Sequence, residues 1–131
     1  MRAIFVDTSV WIDFFIGRLT PQTTRLRLLL GKQALVIGDL VLMEVLQGFR
    51  HEGDVRRAER LLAPVECHVL GGETLARASA HNYRRLRRLG ITPRSSIDVL
   101  IGTFCAESDH HVLACDRDFE LMAPHLGFGL V

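Results

Sequence analysis

Four acidic residues occupy positions where a carboxylate is costly unless it has a specific purpose. Asp7 and Asp116 each follow an apolar run typical of a buried strand, and ligands bind at the carboxyl ends of strands in open α/β sheets. Glu44 interrupts the apolar segment VLMEVL, where an unpaired ionised carboxylate would cost free energy. Asp98 lies at the start of a mostly apolar helical segment. The pattern predicts that all four side chains converge on one edge of a sheet.

Carboxylates gathered within a few ångströms raise one another's pKa, so such a cluster needs a positive counter-charge. Mg²⁺ and Mn²⁺ prefer oxygen ligands, bind through a few carboxylates, and leave other positions for water and phosphate oxygens. A site of this kind suits phosphodiester cleavage, because the metal activates water and stabilises the leaving oxygen. Zinc is disfavoured, since the close pair His110 and His111 has no Cys or further His at ligand spacing.

Each acid also has a purely structural explanation. Asp7 is placed to form a turn or cap a helix, and Asp116 is placed to cap the helix that follows it. Glu44 is able to form a buried ion pair with one of the chain's fifteen arginines. Ser95 and Asp98 have the S-x-x-D spacing of a capping box, which marks an ordinary helix start. The metal-site hypothesis therefore depends on the combination of the four acids.

Short apolar runs alternate along the chain with helical segments. Strands are predicted at 3–6, 34–37, 65–70, 111–114 and 128–131. Helices are predicted at 10–16, 22–30, 40–47, 52–62, 73–89, 96–107 and 119–122, with Asp39 capping the third. Because parallel strands need crossover connections, this alternation predicts an α/β fold with three α/β/α layers. The expected sheet is mostly parallel, has four to five strands, and carries helices on both faces.

The composition indicates one soluble domain over residues 1–131. With 16 Lys plus Arg against 15 Asp plus Glu, the formal charge of +1 excludes a chain that coats nucleic acid through bulk electrostatics. Three widely spaced cysteines predict no disulfide framework, so a reducing cytoplasm is the expected location. Asp7 and Asp13 interrupt any signal peptide, and no run reaches the ~18 apolar residues that a membrane span needs.

Four segments carry a resemblance to a known family: VDTSVWIDFF, LVLMEVLQGF, GITPRSSIDVLIGTFCAE and HHVLACDRDFELMAPHLGFGLV. They are spread over nearly the full chain and are similar to PIN-domain ribonucleases, in particular the VapC-like toxins of type II toxin–antitoxin pairs. The resemblance implies a Mg²⁺- or Mn²⁺-dependent endoribonuclease that cleaves RNA phosphodiester bonds. It also implies a homodimer that is inhibited by a cognate VapB-like antitoxin.

The resemblance further implies a four-acid metal site, which falls on Asp7, Glu44, Asp98 and Asp116. Asp7 and Asp98 are expected to hold the principal metal, and Glu44 to bind it or position the attacking water. Asp116 is expected to complete the site or recruit a second ion. Relatives often carry Thr, Ser or His two residues before the last acid, so Ala114 puts an auxiliary polar contact in doubt.

Residues beside these acids are further candidates. Thr8 and Ser9 follow Asp7 closely enough to contact substrate or fix its carboxylate, and Ser9 is equally placed to cap a helix. Asp118 is able to replace or supplement Asp116, although its position two residues past the strand end favours a supporting contact or a helix cap.

Negative metal ligands repel RNA, so basic side chains are needed to bind its backbone. Five arginines, Arg84, Arg85, Arg87, Arg88 and Arg94, lie in one 11-residue window, and all except Arg87 are assigned to substrate binding. The alternative is a basic helix end that stabilises its own dipole. A second surface is predicted for the antitoxin, with core packing as the alternative; its residues are Trp11, Phe14, Phe15 and Leu19.

Other classes of protein fit less well. A phosphoacceptor receiver domain needs a lysine at a late strand end, and the chain's one lysine is Lys32. A D-x-D-x-T phosphohydrolase needs a second acid two residues after Asp7, where Ser9 stands instead. A nucleotide-binding module would have a glycine-rich loop after the first strand. A catalytically silent PIN scaffold that binds RNA or protein stays an open alternative.

Overall fold

The fold is built on a five-stranded parallel sheet, which a computed structural model describes together with its helices over residues 2–131. The strand order is β3-β2-β1-β4-β5. Phe5 in β1 pairs with Val36 in β2 and with Val112 in β4. The strands are β1 (Ile4–Val6), β2 (Leu35–Gly38), β3 (Glu66–His68), β4 (His111–Leu113) and β5 (Gly129–Leu130).

The three inner strands are apolar because both of their faces are covered by helices. Phe5 and Val6 of β1 and Val112 of β4 are completely buried. The outer strands are shorter than predicted, since each pairs along one side only: β3 covers Glu66–His68 of the predicted 65–70, and β5 covers Gly129–Leu130 of 128–131.

Seven helices connect the strands and form the two outer layers. Parallel crossovers are right-handed, so the helices before β3 lie on one face and those after it lie on the other. Contacts agree with this, since α1 packs against α2 and α3, whereas α5, α6 and α7 pack against one another. The predicted three-layer α/β/α fold is confirmed. The helices are α1 (Thr8–Phe15), α2 (Pro21–Leu29), α3 (Asp39–Gln47), α4 (Glu52–Leu62), α5 (Glu73–Arg88), α6 (Ser96–Glu107) and α7 (Arg117–Leu126).

Two helix predictions were wrong in detail. The helix predicted at 119–122 runs from Arg117 to Leu126, because Pro124 is tolerated near its end and Gly127, at φ 93°, terminates it. Asp39 does not cap α3 but is its first residue, and its Oδ1 accepts hydrogen bonds from the backbone N–H groups of Leu40 and Leu70, both at 2.9 Å. Asp39 thus joins the start of α3 to the loop after β3.

The order in which the chain adds strands to the sheet switches sides between β1 and β4, although all the strands run parallel. The segments after β1 add β2 and then β3 on one side, whereas the later segments add β4 and β5 on the other. Ligands of open α/β sheets bind beyond the carboxyl ends of the strands at such a switch point. Here the backbone N–H of Asp7 donates to the carbonyl of Leu113 at 3.0 Å, which holds the ends of β1 and β4 together. No helix within residues 2–131 is both long and apolar enough to cross a membrane.

Candidate active site

A cavity of about 460 Å³ opens at the switch point, and all four predicted acids line it. Asp7 comes from the β1–α1 junction and Asp116 from the β4–α7 junction. Glu44 reaches the cavity from α3, in the helical layer on one face of the sheet, and Asp98 from α6, on the other. Four segments that are distant in sequence therefore contribute carboxylates to one space.

The Asp7 carboxylate is buried, with 7% of the residue exposed. Asp7 is the residue that precedes α1, but its side chain makes no capping hydrogen bond. The Ser9 hydroxyl donates to Asp7 Oδ2 at 3.3 Å, so the interpretation of Ser9 as a helix cap is wrong. Ser9 instead fixes the orientation of the neighbouring carboxylate.

Glu44 is oriented by the other hydroxyl of this segment. Thr8 Oγ1 donates to Glu44 Oε1 at 2.9 Å, across 36 positions of sequence. The alternative prediction, a buried ion pair between Glu44 and an arginine, is wrong, because no arginine of the described residues lies within 4.0 Å of Glu44. The Thr8 hydroxyl orients the Glu44 carboxylate but, being neutral, supplies no counter-charge.

Asp98 lies in the first turn of α6 without closing a capping box. Ser95 caps the helix, since its hydroxyl accepts from the backbone N–H of Ile97 at 3.2 Å. Within the part of the chain that the structure describes, the Asp98 carboxylate has no hydrogen-bond or ion-pair partner. It is free to face the cavity.

Asp116 caps α7 and lines the cavity at the same time. Its Oδ1 accepts from the backbone N–H of Asp118 at 2.9 Å, so the two interpretations of Asp116 are compatible. Three carboxylate oxygens, one each from Asp98, Asp116 and Asp118, lie within 4.8 Å of one another. Asp118, expected to make a supporting contact, thus belongs to the acidic cluster.

Arg94 is the basic side chain that lines this cavity. Its Nη2 lies 3.4 Å from Asp116 Oδ1, and its Nε lies 3.8 Å from Asp118 Oδ2. The Arg94 backbone N–H also donates to Asp118 Oδ2 at 3.0 Å. Because the Arg94 side chain is 80% exposed, these ion pairs are solvent-screened and replaceable.

The acids perturb one another electrostatically. Burial, followed by the charges of Glu44 and Asp116, raises the pKa of Asp7 to about 6, against the opposing effect of hydrogen bonds from Thr8 and Ser9. Burial is also the largest cause that raises the pKa of Asp98, to about 7. The nearby charges that add to this shift are those of Asp7, Asp116, Asp118 and Glu44.

This donor set fits a hard divalent cation. The ligands on offer are carboxylate oxygens, which Mg²⁺ and Mn²⁺ prefer. Burial is the main cause that raises the pKa values of Asp7 and Asp98, and the charges of neighbouring acids add to both shifts. Arg94 contacts Asp116 and Asp118 only, so the charges of the other three acids have no cationic partner among residues 2–131. A cation bound among the acids would supply that missing charge.

Comparisons with known proteins agree with the fold. Residues 4–123 match the family model described as PIN domain. The chain belongs to the PIN domain family. Within it, the chain is 30% identical over 122 residues to VapC ribonuclease Mb1587 of Mycobacterium bovis, which covers 92% of this chain and 91% of that protein. It therefore belongs with the VapC ribonucleases.

Solved structures share the fold of this PIN domain. The crystal structure of VapBC2 from Rickettsia felis bound to a promoter DNA fragment matches with a TM-score of 0.76 and 14% identity, over 98% of this chain and 97% of that one. DNA-bound VapBC from Salmonella typhimurium matches with a TM-score of 0.74 and 20% identity, over 100% and 98% of the two chains. At these identities the likeness concerns the fold.

The arginines of the PIN domain are spread over different surroundings. Of those assigned to substrate binding, Arg94 lines the acidic cavity and Arg84 lines a second cavity between α5 and α6. Arg85 donates to the backbone carbonyl of His125, which directs it toward α7. Arg88 is exposed at the end of α5.

The aromatic segment of α1 is divided between the core and the surface. Trp11 is completely buried and stacks on Phe15 at a centroid distance of 6.0 Å, so it is not available to a partner. Phe14 and Phe15 instead line an open groove of about 430 Å³ that also includes Phe49 of the α3–α4 loop. Leu19, beyond α1, is 83% exposed.

The raised pKa values predict how the stability of the metal-free PIN domain depends on pH. An acid whose pKa is higher in the folded state binds more protons folded than unfolded, so the free energy of unfolding falls as pH rises from ~4 to ~7. In chelator, the Tm is expected to decrease between pH 5 and pH 8. Asp98→Asn should flatten this decrease and raise the Tm at pH 8, as followed by circular dichroism. The control is Asp109→Asn at an acid that is 81% exposed, and an equally steep decrease in both variants would contradict the prediction.

Proposed function

We propose that this PIN domain is a Mg²⁺- or Mn²⁺-dependent endoribonuclease that cleaves RNA phosphodiester bonds as the toxin of a toxin–antitoxin pair. The convergence of Asp7, Glu44, Asp98 and Asp116 on one cavity, with Asp118 beside them, is the observation that carries the proposal. Its support from relatives is the name of VapC ribonuclease Mb1587, which says that this relative acts on RNA.

The residues that would hold the cation are Asp7, Asp98 and Asp116, with Asp118 close enough to share it. The chemistry that a divalent cation supplies in such a site is activation of water and stabilisation of the leaving oxygen. Glu44 would bind the cation or orient the attacking water, and the Thr8 hydroxyl restricts where its carboxylate points. Ser9 does the same for Asp7. These two hydroxyls preorganise the acids, which lowers the free energy needed to arrange them during reaction.

Arg94 has two roles in this proposal. Without metal, its guanidinium neutralises part of the charge on Asp116 and Asp118. With a cation held by the acids, that attraction would be weaker, and the exposed Arg94 side chain would be available to an RNA phosphate. Arg84 and Arg88, one turn apart and exposed on α5, add positive charge there, and Arg85 is directed toward α7.

The partners proposed for this chain are a VapB-like antitoxin and a second copy of the chain in a homodimer. The solved relatives named above are described as VapBC complexes, which supports the antitoxin. The groove beside Phe14, Phe15 and Phe49 is apolar and partly exposed, and its lining includes Asp54 and Arg57, which form an ion pair with each other. We assign the antitoxin to this groove.

The first prediction from this function concerns cleavage. Purified protein free of antitoxin is expected to cut RNA when Mg²⁺ or Mn²⁺ is added, and to lose this activity in EDTA. Asp7→Asn should lower the rate at least ~100-fold, or about 3 kcal/mol, because it removes a buried negative ligand. Single-turnover cleavage of labelled RNA measures the change. Asp109→Asn, the same substitution at an exposed acid, should retain full activity, and undiminished cleavage by Asp7→Asn would refute the site.

A second prediction separates catalysis from binding as the cause of toxicity. Expression of the wild-type chain without antitoxin is expected to arrest growth, and Glu44→Gln should abolish the arrest while the protein still folds, because the amide is a poorer ligand and base. Colony counts after induction measure the effect. Glu107→Gln, at an exposed glutamate on α6, should arrest growth like the wild type. Full arrest by Glu44→Gln would favour the catalytically silent PIN scaffold.

A third prediction tests the two roles of Arg94. Removing its charge should tighten Mn²⁺ binding and weaken RNA binding, because the guanidinium competes with the cation but attracts phosphate. For Arg94→Gln each change is expected to be about twofold to fivefold, as befits an exposed ion pair. Calorimetry measures Mn²⁺ affinity and fluorescence anisotropy measures RNA affinity. Arg18→Gln, which removes an exposed arginine paired with Asp13 outside the cavity, is the control. A change of both affinities in the same direction would contradict the assignment.

A further inference from the structure

The loop between α5 and α6, residues 89–95, carries Arg94 to the acidic cavity. Its first half is tied to the end of α5, since the backbone N–H of Ile91 donates to the carbonyl of Leu86 at 2.9 Å. From Thr92 onward the loop leaves α5, so the backbone at Arg94 needs support from another part of the fold.

Asp118 of α7 supplies that support. Its Oδ2 accepts a hydrogen bond from the backbone N–H of Arg94 at 3.0 Å. Among the described residues, this is the one hydrogen bond that joins the backbone of residues 92–94 to an element outside the loop. Pro93 is buried and has no N–H of its own, so it contributes packing but no hydrogen-bond donor. The backbone position of Arg94 therefore depends on Asp118.

The Asp118 carboxylate lies behind the wall of the acidic cavity. Asp116 and Arg94 line the cavity, whereas Asp118, as the structure describes it, is not part of the lining. The Asp118 side chain is 15% exposed, against 26% for Asp116. Its distance from the oxygens of Asp98 and Asp116 would allow a shared cation. Its burial and its bond to the Arg94 backbone indicate that it acts on the loop instead.

Asp116, Asp118 and Arg94 form one closed set of contacts. Asp116 Oδ1 accepts from the backbone N–H of Asp118 at 2.9 Å, which fixes the first turn of α7. Arg94 closes the set, because its backbone donates to Asp118 and its Nη2 lies 3.4 Å from Asp116 Oδ1. The exposed guanidinium contact is easily replaced, but the backbone bond does not involve the guanidinium. An Arg94 side chain that leaves Asp116 therefore still extends from the same backbone position.

We propose that Asp118 is a positioning residue that holds the Arg94 backbone at the acidic cavity, so that the guanidinium reaches the phosphate of an RNA that enters there. Asp118 acts through its hydrogen bond to the Arg94 N–H and is not a ligand of the cation. This inference rests on the proposed function for the identity of the phosphate, but the backbone anchor is measurable in protein that holds neither metal nor RNA.

The first test compares two variants of equal charge. Asp118→Asn keeps an oxygen that accepts the Arg94 N–H, whereas Asp118→Ala has no acceptor. In EDTA and without RNA, the Arg94 amide is expected to exchange with deuterium about tenfold faster than in the wild type in Asp118→Ala, as for loss of one hydrogen bond to a charged group, and less than about threefold faster in Asp118→Asn. NMR of labelled protein measures the rate. Glu120→Ala, which removes the other acid of the first turn of α7, is the control, and a wild-type rate in Asp118→Ala overturns the inference.

The second test asks whether the anchor acts through the Arg94 guanidinium. In an Asp7→Asn background with EDTA, which keeps the RNA intact, Asp118→Ala is expected to bind single-stranded RNA about twofold to fourfold more weakly than Asp118→Asn. Adding Arg94→Gln to both variants should abolish this difference, because the anchor then positions no positive charge. Fluorescence anisotropy with a random-sequence pool of labelled RNA measures binding. A difference that persists without the guanidinium would give Asp118 a general structural role and overturn the inference.

Metal affinity separates an anchor from a ligand. In calorimetry with Mn²⁺ alone, both Asp118 variants are expected to stay within about threefold of the wild-type affinity, whereas Asp98→Asn should lose most of it. A loss in both Asp118 variants as large as in Asp98→Asn overturns the inference, because it makes Asp118 a ligand. If wild-type protein with metal cleaves no RNA but the exchange and RNA-binding results hold, the proposed nuclease function fails and the anchor of Arg94 stands.

Discussion

Burial of carboxylates beside one another at the carboxyl ends of β1 and β4 is the constraint on which the rest of this structure depends. The folded chain holds Asp7 and Asp98 where burial and neighbouring negative charge raise the pKa of each. A chain selected for stability alone would place apolar or paired residues there, because uncompensated buried charge is destabilising. The parallel sheet holds these acids together despite this cost, because the pairing of β1 with β4 fixes the β1–α1 and β4–α7 junctions. A site that lowers stability in this way indicates a function for the charge.

The protein's own cation compensates only one side of the acidic cavity. Arg94 pairs with Asp116 and Asp118, on the side formed by α7, and its exposed guanidinium is easily displaced. On the other side, Asp7 and Glu44 are oriented by neutral hydroxyls, which fix geometry without cancelling charge. A metal cation would therefore be favoured beside Asp7 and Glu44. The exposed positive charge of Arg94 lies on the solvent side, where a substrate phosphate would arrive.

The sequence allowed the α/β alternation and the four lining acids to be predicted from local patterns. Asp7 and Asp116 follow apolar runs, whereas Glu44 and Asp98 lie in otherwise apolar helical segments. Side-chain partnerships were not predictable in the same way. Thr8 and Glu44 are 36 residues apart, and their hydrogen bond exists only because α1 packs against α3. Helix capping was misassigned at Ser9 because the helix begins one residue before it, and the Ser9 hydroxyl donates to the Asp7 carboxylate instead. Ser79 carries no motif at all, and only the packing of α5 on α6 reveals that its hydroxyl is buried.

One turn of α6 separates the acidic cavity from the cavity between α5 and α6. Ser95 caps the helix through the backbone N–H of Ile97, a residue that lines both cavities, and Asp98 follows it directly. Because a capped helical turn is stiff, the start of α6 fixes where the Asp98 carboxylate lies at the acidic cavity. The position of this acid therefore depends on the packing of α6 against α5 and α7 and not on a loop.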